Sequence, residues 1–183
     1  AYRQLNYTQT GRVLFLADRN NLARQAETEF KLFDRTEKQQ PLNDLYTINR
    51  LTKPDKINSD IVISTIQKLF AVLTGQKIDD IDEDEEDEKS FISDEKNEPE
   101  VKLSDNLKLS PDHFQFIIVD ECHRSIYGKW QSVLKYFKGA KILGLTATPT
   151  LEAYAFFIII SLKNTLMKIL LLIALMFQIV FIE

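Results

Sequence analysis

The 183-residue sequence predicts an α/β fold built on a parallel sheet, and three observations lead there. Short apolar runs suited to strands buried on both faces alternate with stretches whose apolar residues recur at helical spacing. The alternation repeats along the chain instead of segregating strands from helices, which is the order that builds crossover-connected parallel strands. The composition, 44% apolar and 27% charged, is that of a globular chain with enough apolar material for one ordinary domain and its core.

Each element follows in turn. The opening "AYRQLNYTQTGR" lacks the apolar region of a secretory signal and begins as if in mid-helix. "RVLFLAD", Arg12 to Asp18, reads as a buried strand. "NNLARQAETEFKLF" follows it as an amphipathic helix, with apolar residues at Leu22, Ala26, Phe30 and Phe33. "LYTINRLT" reads as a second strand, and "DIVISTIQKLFAVLTG" as a strand from Ile61 to Ser64 followed by a helix ending at Gly75. From Gln76 to about Leu107 the periodicity dissolves into charge, with too little apolar surface to offset the entropy of ordering it. A disordered, solvated insertion is expected there. Its run "DDIDEDEEDE", residues 79 to 88, is acidic everywhere but Ile81, so the formal net charge of −4 conceals a net basic remainder. Order resumes with "FQFIIVDECH", a helix "YGKWQSVLKYF" and a last strand "AKILGLTAT" closed by Pro149. Cys122 is the single cysteine, which excludes an internal disulfide and gives no sign of an oxidising compartment.

The chemistry concentrates where the strand Ile117-Ile118-Val119 ends on Asp120 and Glu121. Ligands of open parallel sheets sit at the carboxyl ends of strands, and two adjacent acids there can divide labour. Asp120 would hold a magnesium ion bridging nucleotide phosphates, and Glu121 would orient and polarise an attacking water. A bare Asp-Glu pair more often caps the next helix, so its companions decide. "VDECHRS" is followed, after one helix and one strand, by "LGLTATPT". This pairing resembles motifs II and III of superfamily 2 helicases and translocases, a D-E-x-H box followed by a T-A-T turn. Upstream, "VLFLADRNNLARQ" looks like motif Ia and "VISTIQ" like the segment after it. Together with "FIIVDECHRSIYGKW" these stretches, from about Arg12 to Phe157, resemble the motor subunit of type I restriction-modification enzymes, whose first lobe is RecA-like.

That resemblance implies a DEAD/DEAH-box hydrolase that uses ATP and Mg²⁺ to move double-stranded DNA, works with methylation and specificity subunits, and resides in the cytoplasm. It makes Asp120 the Mg²⁺ ligand, Glu121 the water activator and His123 the link between nucleotide and movement. Thr146, Ala147 and Thr148 would couple hydrolysis to motion. Asp18, Arg19 and Asn20, with Ser64, Thr65 and Gln67, would form a DNA-facing rim whose side chains and amides meet phosphates without reading bases. Plainer roles stand beside these: Asn20 as helix N-cap with Arg19 beside it, Thr65 and Thr148 as turn hydroxyls, His123 as a partly buried histidine and Cys122 as a small core residue.

Two features depart from the family pattern. The glycines at 11, 75, 128, 139 and 144 begin no Gly-Lys-Ser or Gly-Lys-Thr, so a phosphate loop is absent from these residues, as are a second lobe and a nuclease domain. The expected architecture is therefore a partial first lobe over residues 1–157 without the phosphate-loop strand and helix, and little ATP turnover is expected of this polypeptide. The tail, 158–183, is apolar from Leu166 to Ile182 except for Lys168 and Gln178, slightly short for a membrane span. A one-base frameshift near Phe157 accounts for it better than an anchor. In the shifted frame Met167-Lys168 forces Glu and Met176-Phe177 forces Val, both agreeing with the family's continuation.

Overall fold

The structure is a computed structural model that describes residues 1–8, 10–34, 39–78, 108–123, 128–148, 150–153, 155–156, 170–175 and 178–179. The elements are α1 (Tyr2–Tyr7), β1 (Val13–Ala17), α2 (Asn20–Leu32), α3 (Leu42–Leu45), β2 (Ile48–Arg50), a 3-10 turn (Pro54–Asn58), β3 (Ile61–Thr65), α4 (Ile66–Thr74), β4 (Phe116–Val119), α5 (Gly128–Tyr136), β5 (Lys141–Thr146), β6 (Leu170–Leu175) and β7 (Gln178–Ile179). They build one sheet in the order β2-β3-β1-β4-β5-β6-β7. Every pairing from β2 to β6 is parallel, and β7 closes the edge antiparallel. The predicted α/β parallel-sheet lobe is thus present.

Side-chain alternation divides the core. Leu14 and Leu16 of β1, Val62 of β3, Ile117 and Val119 of β4 and Ile142 of β5 join Leu69 and Leu73 of α4 and Val133 and Leu134 of α5 on one face. Val13, Ala17, Ile61, Ile63, Phe116 and Ile118 face the other way, against Ala23 of α2 and Leu42, with Tyr2 and Leu5 of α1 packed on them. Period-two strands sandwiched between helices explain why β3 and β4 are apolar at nearly every position.

The predicted strand over "LYTINRLT" is shorter than its sequence suggests. Pro41 precedes a helical turn that takes Leu42–Leu45, and only Ile48–Arg50 pairs with β3. Pro pre-sets φ for a turn, and that local preference overrides strand propensity at Leu45. Helix α4 ends where predicted, on Gly75 at φ 81°, in the left-handed region. The Gly75 N–H bonds the carbonyls of Ala71 and Val72, satisfying the last turn. Gly75→Ala would force a Cβ into that backbone and within 3.1 Å of the flexible end of Lys108. A stability loss of about 1–2 kcal/mol is expected in urea unfolding, from the backbone rather than the contact.

Order continues past Gly75 to Ile78, which is 5% exposed and part of the core. Residues 79–107, the rest of the acidic insertion, lie outside the described residues, as do the Arg-Ser-Ile-Tyr that follow His123. Two segments of the apolar tail are strands of the sheet, and among the described residues no helix is long and apolar enough to cross a membrane.

Candidate active site

Because β1, β3, β4 and β5 run parallel, their carboxyl ends share one edge of the sheet. Every candidate residue lies on that edge or in the first turn beyond it. They form two neighbouring groups.

The first group joins β4 to β5. The Asp120 N–H donates to the Leu16 carbonyl of β1 at 2.9 Å, and the Cys122 N–H donates to the Leu145 carbonyl of β5 at 2.8 Å. The residue between them, Glu121, has φ 48°, a left-handed conformation rare for a residue with a side chain. Such backbone costs on the order of 1–3 kcal/mol and persists where surrounding bonds enforce it. Here it turns the chain so that His123 reaches β5. His123 Nδ1 stands 2.7 Å from Thr146 Oγ1 and 3.2 Å from Glu121 Oε2. Thr146 Oγ1 also accepts the Thr148 N–H at 3.1 Å, and the Thr148 hydroxyl lies 3.4 Å from His123 Nδ1. An Nδ1–H shared between Glu121 and Thr146 satisfies these contacts. Thr146 is 4% exposed, whereas Ala147 and Thr148 are exposed. The D-E-x-H box and the T-A-T turn therefore meet through one imidazole.

Asp120 is half-buried, and its Oδ1 accepts the Glu121 N–H at 3.0 Å. Burial raises its carboxyl above the ordinary range, against that N–H bond, and the negative charge of Asp18 pushes it further up. Asp120 is the carboxylate there that could take part in holding a metal ion, and among the described residues no group of three or more metal-ligating side chains stands together. Cys122 is fully buried, with burial and then Glu121 pushing its thiol up to about 12, so it is core and no nucleophile.

The second group lies at the ends of β1 and β3. Asp18, Asn20, Ser64 and Thr65 are all at most 6% exposed, Gln67 is half-buried, and Arg19 is paired with Asp18 at 3.5 Å. Arg19, not Asn20, is the N-cap of α2, and its side chain makes no capping bond. Asn20 is the first helical residue, and its Oδ1 accepts from Arg50 Nη1 at 2.9 Å and from Lys68 Nζ at 3.3 Å. Its Nδ2 is buried without a hydrogen-bond partner among the described residues. Thr65 is the N-cap of α4, accepting from the Lys68 N–H at 3.5 Å, and the Ser64 hydroxyl donates to the Thr65 carbonyl at 2.8 Å. Arg50 and Lys68 escaped the sequence reading. Lys68, at 2% exposed, is the one cation in the apolar run "IQKLFAVLT", and that placement was the available signal.

The family model described as "Type III restriction enzyme, res subunit" matches residues 1–151. The chain is similar to the Type I restriction enzyme EcoAI endonuclease subunit of Escherichia coli, 30% identical over 142 residues, which is 75% of this chain and 13% of that protein. It is likewise similar to the SauCOLORF180P endonuclease subunit of Staphylococcus aureus strain COL, 30% identical over 75% of this chain and 12% of the relative. The SsaAORF53P endonuclease subunit of Staphylococcus saprophyticus is 26% identical over 77% of the chain and 12% of its own length. The chain thus spans about an eighth of the relatives it matches. No solved structure matches it. With a family model covering most of its length, and with type I endonuclease subunits as relatives, the chain belongs to the restriction-enzyme res-subunit family.

Proposed function

We propose that this chain carries part of the first motor lobe of a restriction endonuclease subunit, in which ATP hydrolysis drives movement along double-stranded DNA. One observation carries the reading: His123 of the acidic box bonds Thr146 of the following strand at 2.7 Å while touching Glu121 at 3.2 Å. A carboxylate that orients water is thereby tied through one side chain to the turn that would sense DNA. Asp120 would hold Mg²⁺, which when bound supplies charge neutralisation on the nucleotide phosphates. Glu121 accepts the proton of the attacking water, and the His123 imidazole fixes the carboxylate's direction. Movement of Thr146 and Thr148 would shift His123 and with it Glu121.

On the neighbouring rim, Arg19, partly exposed and paired with Asp18, would meet backbone phosphate. Asp18, Asn20, Ser64, Thr65 and Gln67 would shape the turns that present it and their amides. Methylation and specificity subunits would complete the enzyme, and cleavage would be the work of a separate nuclease domain.

The test is a chimera in which residues 1–151 replace the matched segment of the Escherichia coli EcoAI subunit. DNA-stimulated ATP hydrolysis supports the reading, and a folded chimera without it overturns the reading. The family model's own description favours a second possibility, the res subunit of a type III enzyme. Sequencing the locus separates the two, because a nuclease domain upstream in the same frame marks the type I arrangement. The same sequence decides whether a one-base slip near Phe157 produced the apolar tail.

A further inference from the structure

The rim at the ends of β1 and β3 is tied together by one buried amide. Ala17 and Thr65 are paired as the last residues of their strands, and Asn20 and Lys68 each stand three residues further on. Helix α2 covers one face of the sheet and α4 the other. Lys68 therefore reaches across the carboxyl ends of β1 and β3 for its Nζ to donate to Asn20 Oδ1 at 3.3 Å. From the edge strand, Arg50 at the end of β2 donates to the same oxygen through Nη1 at 2.9 Å. Further along α2, Glu27 holds Arg50 a second time, with Oε2 3.4 Å from Nε and Oε1 accepting the Arg50 N–H at 3.4 Å. Burial pushes the Glu27 carboxyl up, but Lys31 and Arg50 outweigh it and hold the group below the usual carboxylate range. Helix α2, strand β2 and helix α4 thus meet at a single side-chain oxygen.

Helix electrostatics oppose this arrangement. Lys68 lies in the first turn of α4 and Arg50 meets the first residue of α2, so both cations stand at helix ends whose dipoles repel them. Lys68, at 2% exposed, also gives up its hydration. Departures of this kind are expected where position matters more than stability. We infer that Lys68 and Arg50 are positioning residues: by gripping Asn20 they hold the turns after β1 and β3 as one body and set the direction in which Arg19 is presented. Arg19 is the neighbour of Asn20 and its carbonyl accepts the Ala23 N–H at 3.0 Å, so a shift of Asn20 is passed to the Arg19 backbone. That Arg19 meets DNA phosphate rests on the function proposed above. The grip on Asn20 does not.

Both parts are tested on the full chain. Lys68→Met keeps an unbranched side chain and removes the charge. Hydrogen exchange at the Ala23 amide, in a helix to which Lys68 does not belong, is expected to quicken by about tenfold while the β1 and β4 amides keep their protection. Arg50→Met, on the edge strand, gives the same readout if Lys68→Met does not fold. Unchanged Ala23 exchange overturns the grip. An equal quickening throughout the sheet overturns it as well, because the contact would then serve global stability alone. Binding of a short DNA duplex of arbitrary sequence, followed by fluorescence anisotropy, reads the second part. At about 0.1 M salt, Arg19→Ala is expected to weaken binding by about tenfold, the loss for one phosphate contact, and Lys68→Met by a similar factor. The double variant is expected to bind as weakly as Arg19→Ala, within about twofold. Losses that multiply overturn the positioning role, since Lys68 would then act on DNA without Arg19. If the unsubstituted chain binds no duplex even at about 0.02 M salt, the DNA reading falls and the presentation of Arg19 falls with it, while the exchange result still decides the grip.

Discussion

Phe137→Ala is expected to destabilise the chain by about 3–5 kcal/mol, the range for truncating a core phenylalanine. Phe137 is fully buried immediately after α5, with its ring edge-on to Phe114 at 5.4 Å and to Tyr136 at 5.2 Å. The substitution removes the apolar transfer contribution and both ring contacts. It also leaves a void that neighbours can only partly fill, because Ile142 is anchored in β5, Val133 in α5 and Phe114 in the aromatic cluster. Tyr136 adds rigidity, since its hydroxyl donates to the Leu109 carbonyl and ties α5 to the segment entering β4. Domains of this size are stable by about 5–15 kcal/mol, so the loss takes a large part of the total. Urea unfolding should show a lower midpoint at an unchanged slope. Leu151→Ala, at a side chain 85% exposed, should move it by less than about 0.5 kcal/mol.

In the chimera described above, Glu121→Gln is expected to lower DNA-stimulated ATP turnover by about 10²–10³-fold, within the usual range for losing a general base. The amide preserves the size of the side chain and its hydrogen bond from His123, but cannot take a proton from water. The effect should therefore fall on turnover and leave the nucleotide concentration at half-saturation nearly unchanged. Glu29→Gln, an exposed carboxylate on α2 far from the strand ends, serves as the control and should leave turnover unaltered. Equal losses from both substitutions would mean that net charge, not Glu121, was being read.

The sequence carried most of the sheet because apolar runs bounded by turn residues are a local signal. Val13–Ala17, Ile61–Thr65 and Phe116–Val119 stand within a residue or two of where "RVLFLAD", "IVIS" and "IIV" put them. Gly75 likewise ended α4 as its chemistry requires. The box and the T-A-T turn could be named from their spacing, but not the bond between His123 and Thr146. That contact depends on β4 and β5 being neighbours and on the left-handed turn at Glu121, which no local pattern announces. Asp18, Asn20, Ser64 and Thr65 stand at the ends of β1 and β3, and their burial was not foreseen. Asn20 and Lys68 are polar residues that go inside because they bond each other across 48 positions of sequence. Nor did the apolar tail read as a strand, since six consecutive apolar residues fit a buried helix segment equally well.

The central claim is that one imidazole couples the acidic box to the T-A-T turn, and a double-mutant cycle in the chimera measures it most directly. His123→Ala, Thr146→Val and the pair would be compared by DNA-stimulated ATP turnover, each converted to a free energy. The account predicts a coupling of about 0.5–3 kcal/mol, with the pair losing little more than the worse single variant. Losses that add within about 0.3–0.5 kcal/mol would contradict it, because His123 and Thr146 would then act independently despite their 2.7 Å contact.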